Sequence, residues 1–457
     1  MTITAVVGAQ FGDEAKGKIV DYLSSDAEYV VRYQGGPNAG HTIRPAGRTL
    51  ALHQLPVGIV REGCTAVCGA GMVVDPFELV KEIRTLRDEG LFHGKLLLSE
   101  RAHLILPWHR IQDAWEEETR GSEAGGTTGR GIGPAYMDRA GRWGIRVAEL
   151  FRPEILRKRL QLLRRTKGFL EGRVGAPTLE QVESDLLAVA AELQPFVAAT
   201  EPLLWRAVEE GRNVLLEGAQ SALLDVDYGT YPFVTSSHPT AAGAALGSGL
   251  PPQAIEEVLG ISKAYATRVG AGPFPTEALG ADGDRLRERG GERGATTGRP
   301  RRCGWLDLVL LRFVVRLNGL TALALTKVDV LGGEAQVPVA VGYRTVSGET
   351  VTEAPPTLAE DLARVEPLWR FLPGWEEFTP AVKERLADEG YRALPRELRR
   401  FVEFVSEETG VPVALISYGP SREETVVVPP GARSLPGGWP PGPPRSPEGP
   451  RGGVPVL

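Results

Sequence analysis

Cysteine is nearly absent, with three in 457 residues. So few thiols cannot build a disulfide framework, which excludes the stapled scaffolds of small secreted proteins and points to a reducing compartment. Cys64 and Cys68 have no second pair and no histidine at zinc-ligand spacing, and Cys303 stands alone, so a structural zinc centre is excluded as well. No uncharged apolar run approaches the roughly 20 residues of a membrane span; the best candidate, LDLVLLRFVV, is interrupted by Arg312. The opening MTITAVVGAQ lacks the basic region and long apolar stretch of a secretory signal. Basic excess is missing too. The 52 Lys and Arg face 58 Asp and Glu, a net charge of −6, which argues against a general nucleic-acid binder. The expectation is a soluble, cytoplasmic protein that engages neither nucleic acid nor membrane.

What is present reads as α/β. TITAVVG is a short buried-type strand, followed by a glycine-rich loop, an apolar-periodic segment around residues 19–23 and a second strand at YVVRYQ. Residues 213–220, 321–330 and 411–419 are further apolar strands ending in polar or glycine-containing loops. Their near-continuous apolar character suits a large, mostly parallel central sheet covered by helices on both faces. Thr178 and Gln181 form a capping box that opens a long amphipathic run towards Gly211; residues 306–317 and 396–409 read as two more helices. One domain over residues 1–428, with a helical insertion at about 150–211, is the expected organisation. Residues 429–457 are dense in Pro and Gly and are expected to form a flexible tail.

The first chemistry lies in GAQFGDEAKGKI, residues 8–19. Gly12, Gly17 and Lys18 match G-x-x-x-x-G-K, in which glycines let backbone N–H groups approach phosphate oxygens and a lysine supplies charge. Ile19 occupies the place of the Ser or Thr that holds magnesium in such loops, so the metal needs another ligand, and Asp13 is the candidate. Carboxylates beside phosphates repel them unless a cation or a proton transfer uses them, which singles out Asp13 and Glu14. Thr326-Lys327-Val328-Asp329 follows an apolar strand. Alone it is also what an exposed turn carries; paired with the phosphate loop it selects GTP, because an ionised carboxylate accepts two parallel bonds from guanine's N1–H and amino group. Residues 32–43 place Gln34, Asn38, Gly40 and His41 after a strand, and residues 126–136, 217–237 and 294–305 form further loops rich in Gly, Thr and Arg. The guanidinium cluster Arg299, Arg301 and Arg302 suits carboxylate or phosphate ligands.

Taken in order, GDEAKGKIVD, RYQGGPNAGHTI, TTGRGIGPAY, EGAQ…LLDVDYGTYPFVTSS, KAYATRVGAGPFPTE, GATTGRPRRCGW and TKVDVL closely resemble the adenylosuccinate synthetases, from Met1 to about Val428. The resemblance implies a P-loop-related α/β fold, a cytoplasmic homodimer, and a ligase that converts IMP, L-aspartate and GTP to adenylosuccinate, GDP and phosphate with Mg²⁺. It makes Asp13 the base and a metal ligand together with the Gly40 carbonyl, and His41 the acid; Lys16 and Gln220 complete the catalytic set. Gly12, Asp13, Glu14, Ala15, Lys16, Gly17 and Lys18 would cradle the GTP phosphates with Gly40, His41 and Thr42 beside them, while Arg301, Lys327, Val328, Asp329, Ser417, Tyr418 and Gly419 surround the guanosine. Asn38, Ala39, Thr128, Gln220, Thr235 and Arg299 fall at the IMP site, and Arg142 would reach the IMP of the neighbouring subunit. Ala295, Thr296, Thr297, Gly298, Arg299, Pro300 and Arg301, with Arg302, correspond to the aspartate-binding segment. Ala15 stands where the pattern has glycine, and Ser221 and His238 also depart from it. Two other readings, a GTP-binding regulator without ligase activity and an ATP-dependent kinase acting on a carboxylate, leave the arginine loop without work or mismatch Asp329 to adenine.

Overall fold

A computed structural model describes residues 2–121, 126–170, 173, 175–294 and 298–429. The expected tail, apart from Pro429, and residues Ala295, Thr296 and Thr297 lie outside the described residues. Ten strands form the central sheet, in the spatial order Thr425–Val427, Val413–Ser417, Ala322–Thr326, Glu257–Lys263, Ile3–Gly8, Val214–Glu217, Tyr29–Arg32, Thr65–Cys68, Lys95–Ser99 and Val197–Ala198. Every neighbouring pair is parallel except the edge hairpin of Val413–Ser417 with Thr425–Val427.

Side chains of the first strand, β1 (Ile3–Gly8), alternate between two apolar layers. Ile3, Ala5 and Val7 enter one and Val6 the other, so both faces are buried and the strand reads as one apolar run. The consequence for function is directional. Parallel strands all end on the same edge, so the loops after residues 8, 32, 217, 263, 326 and 417 emerge side by side. A smaller sheet, with strands Tyr265–Arg268, Arg302–Asp307, Gln336–Arg344, Thr350–Val351 and Glu366–Pro373, continues from the Glu257–Lys263 strand and carries the arginine loop back to that edge.

Helix boundaries differ from the sequence pattern where local chemistry intervenes. The run from Thr178 is two helices, Leu179–Leu193 and Thr200–Glu209, because Pro195 lacks the N–H a continuing helix requires. The break lets Val197–Ala198 join the sheet as its last parallel strand. Only half of the expected capping box forms: Thr178 accepts from the Gln181 N–H at 3.2 Å, but the Gln181 side chain turns to Asp185. The helix expected at 306–317 spans Leu308–Asn318, its amides Val309 and Leu310 capped by Asp307. The third, Arg396–Thr409, matches, closed by left-handed Gly410. All three cysteines are buried free thiols, with burial raising Cys68 to about 12. Among the described residues no helix is long and apolar enough to cross a membrane.

One glycine fixes how the helix Ala241–Ser248 meets the sheet edge. A Cβ on Gly247 would sit 1.9 Å from the Tyr33 carbonyl oxygen, inside the backbone that leads to Gln34. Gly247→Ala is therefore expected to cost roughly 1–3 kcal/mol through overpacking, read as a lower denaturant midpoint at unchanged slope. An unchanged midpoint would show that the helix slides freely.

Candidate active site

The loop after β1 folds over on itself through left-handed backbone. Gly12, Asp13 and Ala15 have φ of 96°, 60° and 65°, and Ala15 is the N-cap of α1 (Lys16–Leu23). The first-turn N–H groups of α1 have no intrahelical partners, which makes this helix start an anion site. Gly17 lets the loop approach its neighbour, since a Cβ there would lie 3.0 Å from His41 Cβ. Ile19 is wholly buried in the core.

Glu14 does not line the cavity as the phosphate-loop assignment implied. Its carboxylate is fully buried and accepts the N–H groups of Gln10 at 3.2 Å and Gly12 at 2.8 Å, and Lys16 Nζ at 2.5 Å. It holds the loop's shape, while Lys16 and the first-turn amides set positive charge at the cavity wall. Burial would raise the Glu14 pKa, yet the Lys16 ammonium holds it below the usual carboxylate range. Ser221, where the pattern has glycine, accepts a second bond from the Gln10 N–H at 2.9 Å.

Lys18 crosses to the far strand end. Its Nζ donates to Ser417 Oγ at 2.6 Å and to the carbonyls of Gly419 and Glu424 at 2.7 and 2.8 Å, and burial lowers its pKa to about 8. His41 Nδ1 lies 2.5 Å from Glu217, whose other oxygen accepts the Val57 N–H at 2.8 Å. A carboxylate only accepts, so Nδ1 carries the proton and Nε2 is left for the cavity. Burial lowers the His41 pKa against the opposing pull of Glu217. Asp13 faces Arg301 Nε at 2.8 Å, an ion pair without hydrogen-bond alignment. Asp329 keeps one buried carboxylate oxygen without a hydrogen-bond partner among the described residues, and burial raises its pKa.

A single cavity of about 910 Å³ brings these groups together. Gly12, Asp13, Ala15, Lys16, Gly17, Lys18, Asn38, Ala39, Gly40, His41, Thr42, Thr128, Gln220, Thr235, Arg301, Lys327, Asp329, Ser417 and Gly419 all line it. Val328 and Tyr418 are instead buried behind it as packing groups. Arg302 turns away, pairing with Glu277 and donating to the Gly272 carbonyl at 2.8 Å, so its assignment to the aspartate segment does not give it a cavity-lining side chain here. Gly298, Arg299 and Pro300 stand outside the lining as well, Arg299 reaching the Gly126 carbonyl at 3.5 Å. Arg142 is exposed and left-handed, at φ 66°.

Sequence reasoning passed over Glu217 and Glu292. A charged residue closing the apolar run NVLLE was a usable signal, because a buried carboxylate needs partners. Glu292, in GGERG, offered none. It is fully buried, and although burial alone would raise its pKa, Lys263, Lys327 and Arg301 hold it well below the usual carboxylate range. Arg268 was also missed; it ties Thr230 and the Phe233 carbonyl to the Ala271 and Pro273 carbonyls.

A glycine-rich loop and helix start at the carboxyl edge of a parallel sheet, lining one cavity together with Asp329, define a nucleotide-binding α/β enzyme of the P-loop-related class. The family model for adenylosuccinate synthetase matches residues 5–426. Adenylosuccinate synthetases of Myxococcus xanthus and Chlorobium chlorochromatii are 48% and 47% identical to this chain, covering 94% and 93% of it and 99% and 96% of their own lengths. A fully ligated adenylosuccinate synthetase from Plasmodium falciparum superposes with a TM-score of 0.86 at 34% identity, over 94% of this chain and 100% of that one. The chain belongs to the adenylosuccinate synthetase family, ligases of purine nucleotide synthesis.

Ala15 carries a testable strain. Replacing it with glycine removes about 1–2 kcal/mol of left-handed cost against about 0.4–1 kcal/mol of added unfolded-state freedom. Ala15→Gly is therefore expected to raise the thermal midpoint slightly, and a clear drop in a melting experiment would contradict the strain.

Proposed function

We propose that this chain joins L-aspartate to IMP through a 6-phosphoryl intermediate, using the residues gathered in this cavity. Expelling the 6-oxygen of IMP directly would mean hydroxide, whose conjugate acid has a pKa of about 15.7. Asp13 takes the N1 proton, and the electron pair moves through the ring to the 6-oxygen. That oxygen attacks the γ-phosphorus of GTP and GDP leaves. The aspartate amine then adds at C6, the C6–O bond breaks, and inorganic phosphate departs with the former 6-oxygen and takes the proton that the amine nitrogen sheds. His41, its Nδ1 committed to Glu217, offers Nε2 to the phosphoryl group in transit, where phosphate charge favours the imidazolium. Lys16 and Gln220 attend the developing charge.

Magnesium would be held by the Asp13 carboxylate and the Gly40 carbonyl, two hard oxygen donors that line the cavity, and it would neutralise phosphate charge. The guanine preference rests on Asp329, whose partnerless oxygen suits guanine's adjacent N–H donors and finds no such pair on adenine. The exposed, left-handed Arg142, on a surface that also exposes Met137 and Trp143 in the adjoining chain, supports a homodimer in which Arg142 serves the partner's IMP. Buried, unpaired thiols fit a cytoplasmic location.

The observation that carries this reading is the single cavity that Asp13, His41 and Asp329 line together. The deciding experiment supplies IMP labelled with ¹⁸O at the 6-position, with L-aspartate, Mg²⁺ and GTP or ATP. The expectation is adenylosuccinate with GTP and label in the released phosphate; label retained in the purine would overturn it. Asp13→Asn and His41→Asn are each expected to lower kcat at least about 100-fold with modest KM changes, and near-normal turnover would remove that residue from its role. Mixing Arg142→Leu with Asp13→Asn subunits is expected to restore part of the activity through hybrid dimers. No recovery despite subunit exchange would count against the shared site.

A further inference from the structure

Glu292 lies just beyond the helix Ala281–Gly290 and has no exposed surface. Its Oε1 accepts from Lys327 Nζ at 2.7 Å, from Lys263 Nζ at 2.9 Å and from the Tyr265 hydroxyl, while its Oε2 accepts from Arg301 Nη1. Two of these partners are floor. Lys263 and Tyr265 are fully buried in adjacent strands of the two sheets. The other two line the cavity, and they belong to different elements. Lys327 follows the strand whose end carries Asp329, in a left-handed conformation at φ 56°. Arg301 ends the arginine loop and faces Asp13.

The backbone repeats this arrangement. The Arg301 N–H donates to the Glu292 carbonyl at 3.0 Å, and Lys327 Nζ donates to the Gly290 carbonyl at 2.6 Å. Three cations therefore converge on one carboxylate. Without its charge they repel one another, and Lys263, walled in, cannot leave. Lys327 and Arg301 can, because both border open space. Loss of the carboxylate would displace these two together.

We propose that Glu292 is a positioning residue that couples the guanosine and aspartate subsites, holding Lys327 and Arg301 in register so that each ligand finds its contact pre-set. This rests on the assignment of Lys327 to guanosine and of the arginine loop to L-aspartate made above. Of the IMP contacts, Asn38, Ala39, Thr128, Gln220 and Thr235 lie on other loops and only Arg299 shares the arginine loop, so IMP is expected to feel the change least.

The test is Glu292→Gln in the full-length protein, with circular dichroism and a thermal midpoint to establish folding. KM for GTP and KM for L-aspartate are expected to rise together, each about tenfold or more, while KM for IMP stays within about threefold. Lys327→Met is expected to raise KM for GTP, and adding Glu292→Gln to it should raise that KM by a smaller factor than Glu292→Gln does alone, the remainder coming from Arg301, while still raising KM for aspartate. A parallel rise in all three KM values would assign Glu292 a merely structural role, and a change in only one of the GTP and aspartate values would deny the coupling; either overturns the proposal. If Glu292→Gln does not fold, Glu292→Asp, one methylene shorter with its charge kept, carries the same comparison. Calorimetric binding of GDP to wild type and variant needs no turnover. Unchanged GDP affinity in Glu292→Gln overturns the proposal even if the wild type makes adenylosuccinate, whereas a wild type that makes none refutes the assigned reaction alone.

Discussion

Three carboxylates with no exposed surface, Glu14, Glu217 and Glu292, hold the edge of the sheet on which everything else depends. An ionised carboxylate is costly to bury unless its lone pairs are filled by donors, and here the donors come from the loops that must be held. Glu14 gathers two amides and Lys16 into the phosphate loop, Glu217 fixes the His41 ring and the Val57 amide, and Glu292 binds Lys327 and Arg301. Each penalty of burial is thus offset only if a particular loop adopts a particular conformation, which turns a stability requirement into a positional one.

Strain is concentrated in the same places. Among the described residues, five non-glycine residues have positive φ: Asp13, Ala15, Arg142, Gln220 and Lys327. All five are candidate site residues, and four of them line the cavity. A chain leaving a buried parallel strand must turn sharply if its first side chains are to face the strand end rather than continue along it, and left-handed backbone provides that turn at about 1–3 kcal/mol each. Electrostatics follow the same plan. Although the whole chain is acidic, its buried acids are matched by lysines and arginines that crowd the cavity, so a polyanionic ligand meets a cationic wall.

The colinear motifs made the fold class and the family legible. Gly12 and Gly17 announce a loop that phosphates approach closely, and the apolar strands announce a doubly covered sheet. For Glu14 the sequence left the side chain's direction open, because a carboxylate in a phosphate loop has two ways to be useful, toward the ligand or toward the loop's own amides, and spacing does not separate them. Arg301 and Arg302 are neighbours in sequence, yet Arg301 faces the cavity while Arg302 pairs with Glu277, a difference spacing does not show. The helix break at Pro195 was visible in the sequence, but the edge strand it frees was not, since a two-residue strand has no period of its own.

Apolar runs and glycine placement by themselves determined the kind of sheet and the loops at its edge, and the resemblance of the colinear motifs determined the family, because each is read within short stretches of chain. The partners of the buried acids were decided only by the tertiary structure. Glu217 and His41 are 176 positions apart, and Lys18 and Ser417 399 apart. Such contacts are set by the order in which parallel strands lie beside one another, and no local pattern of residues encodes which strand ends will be neighbours.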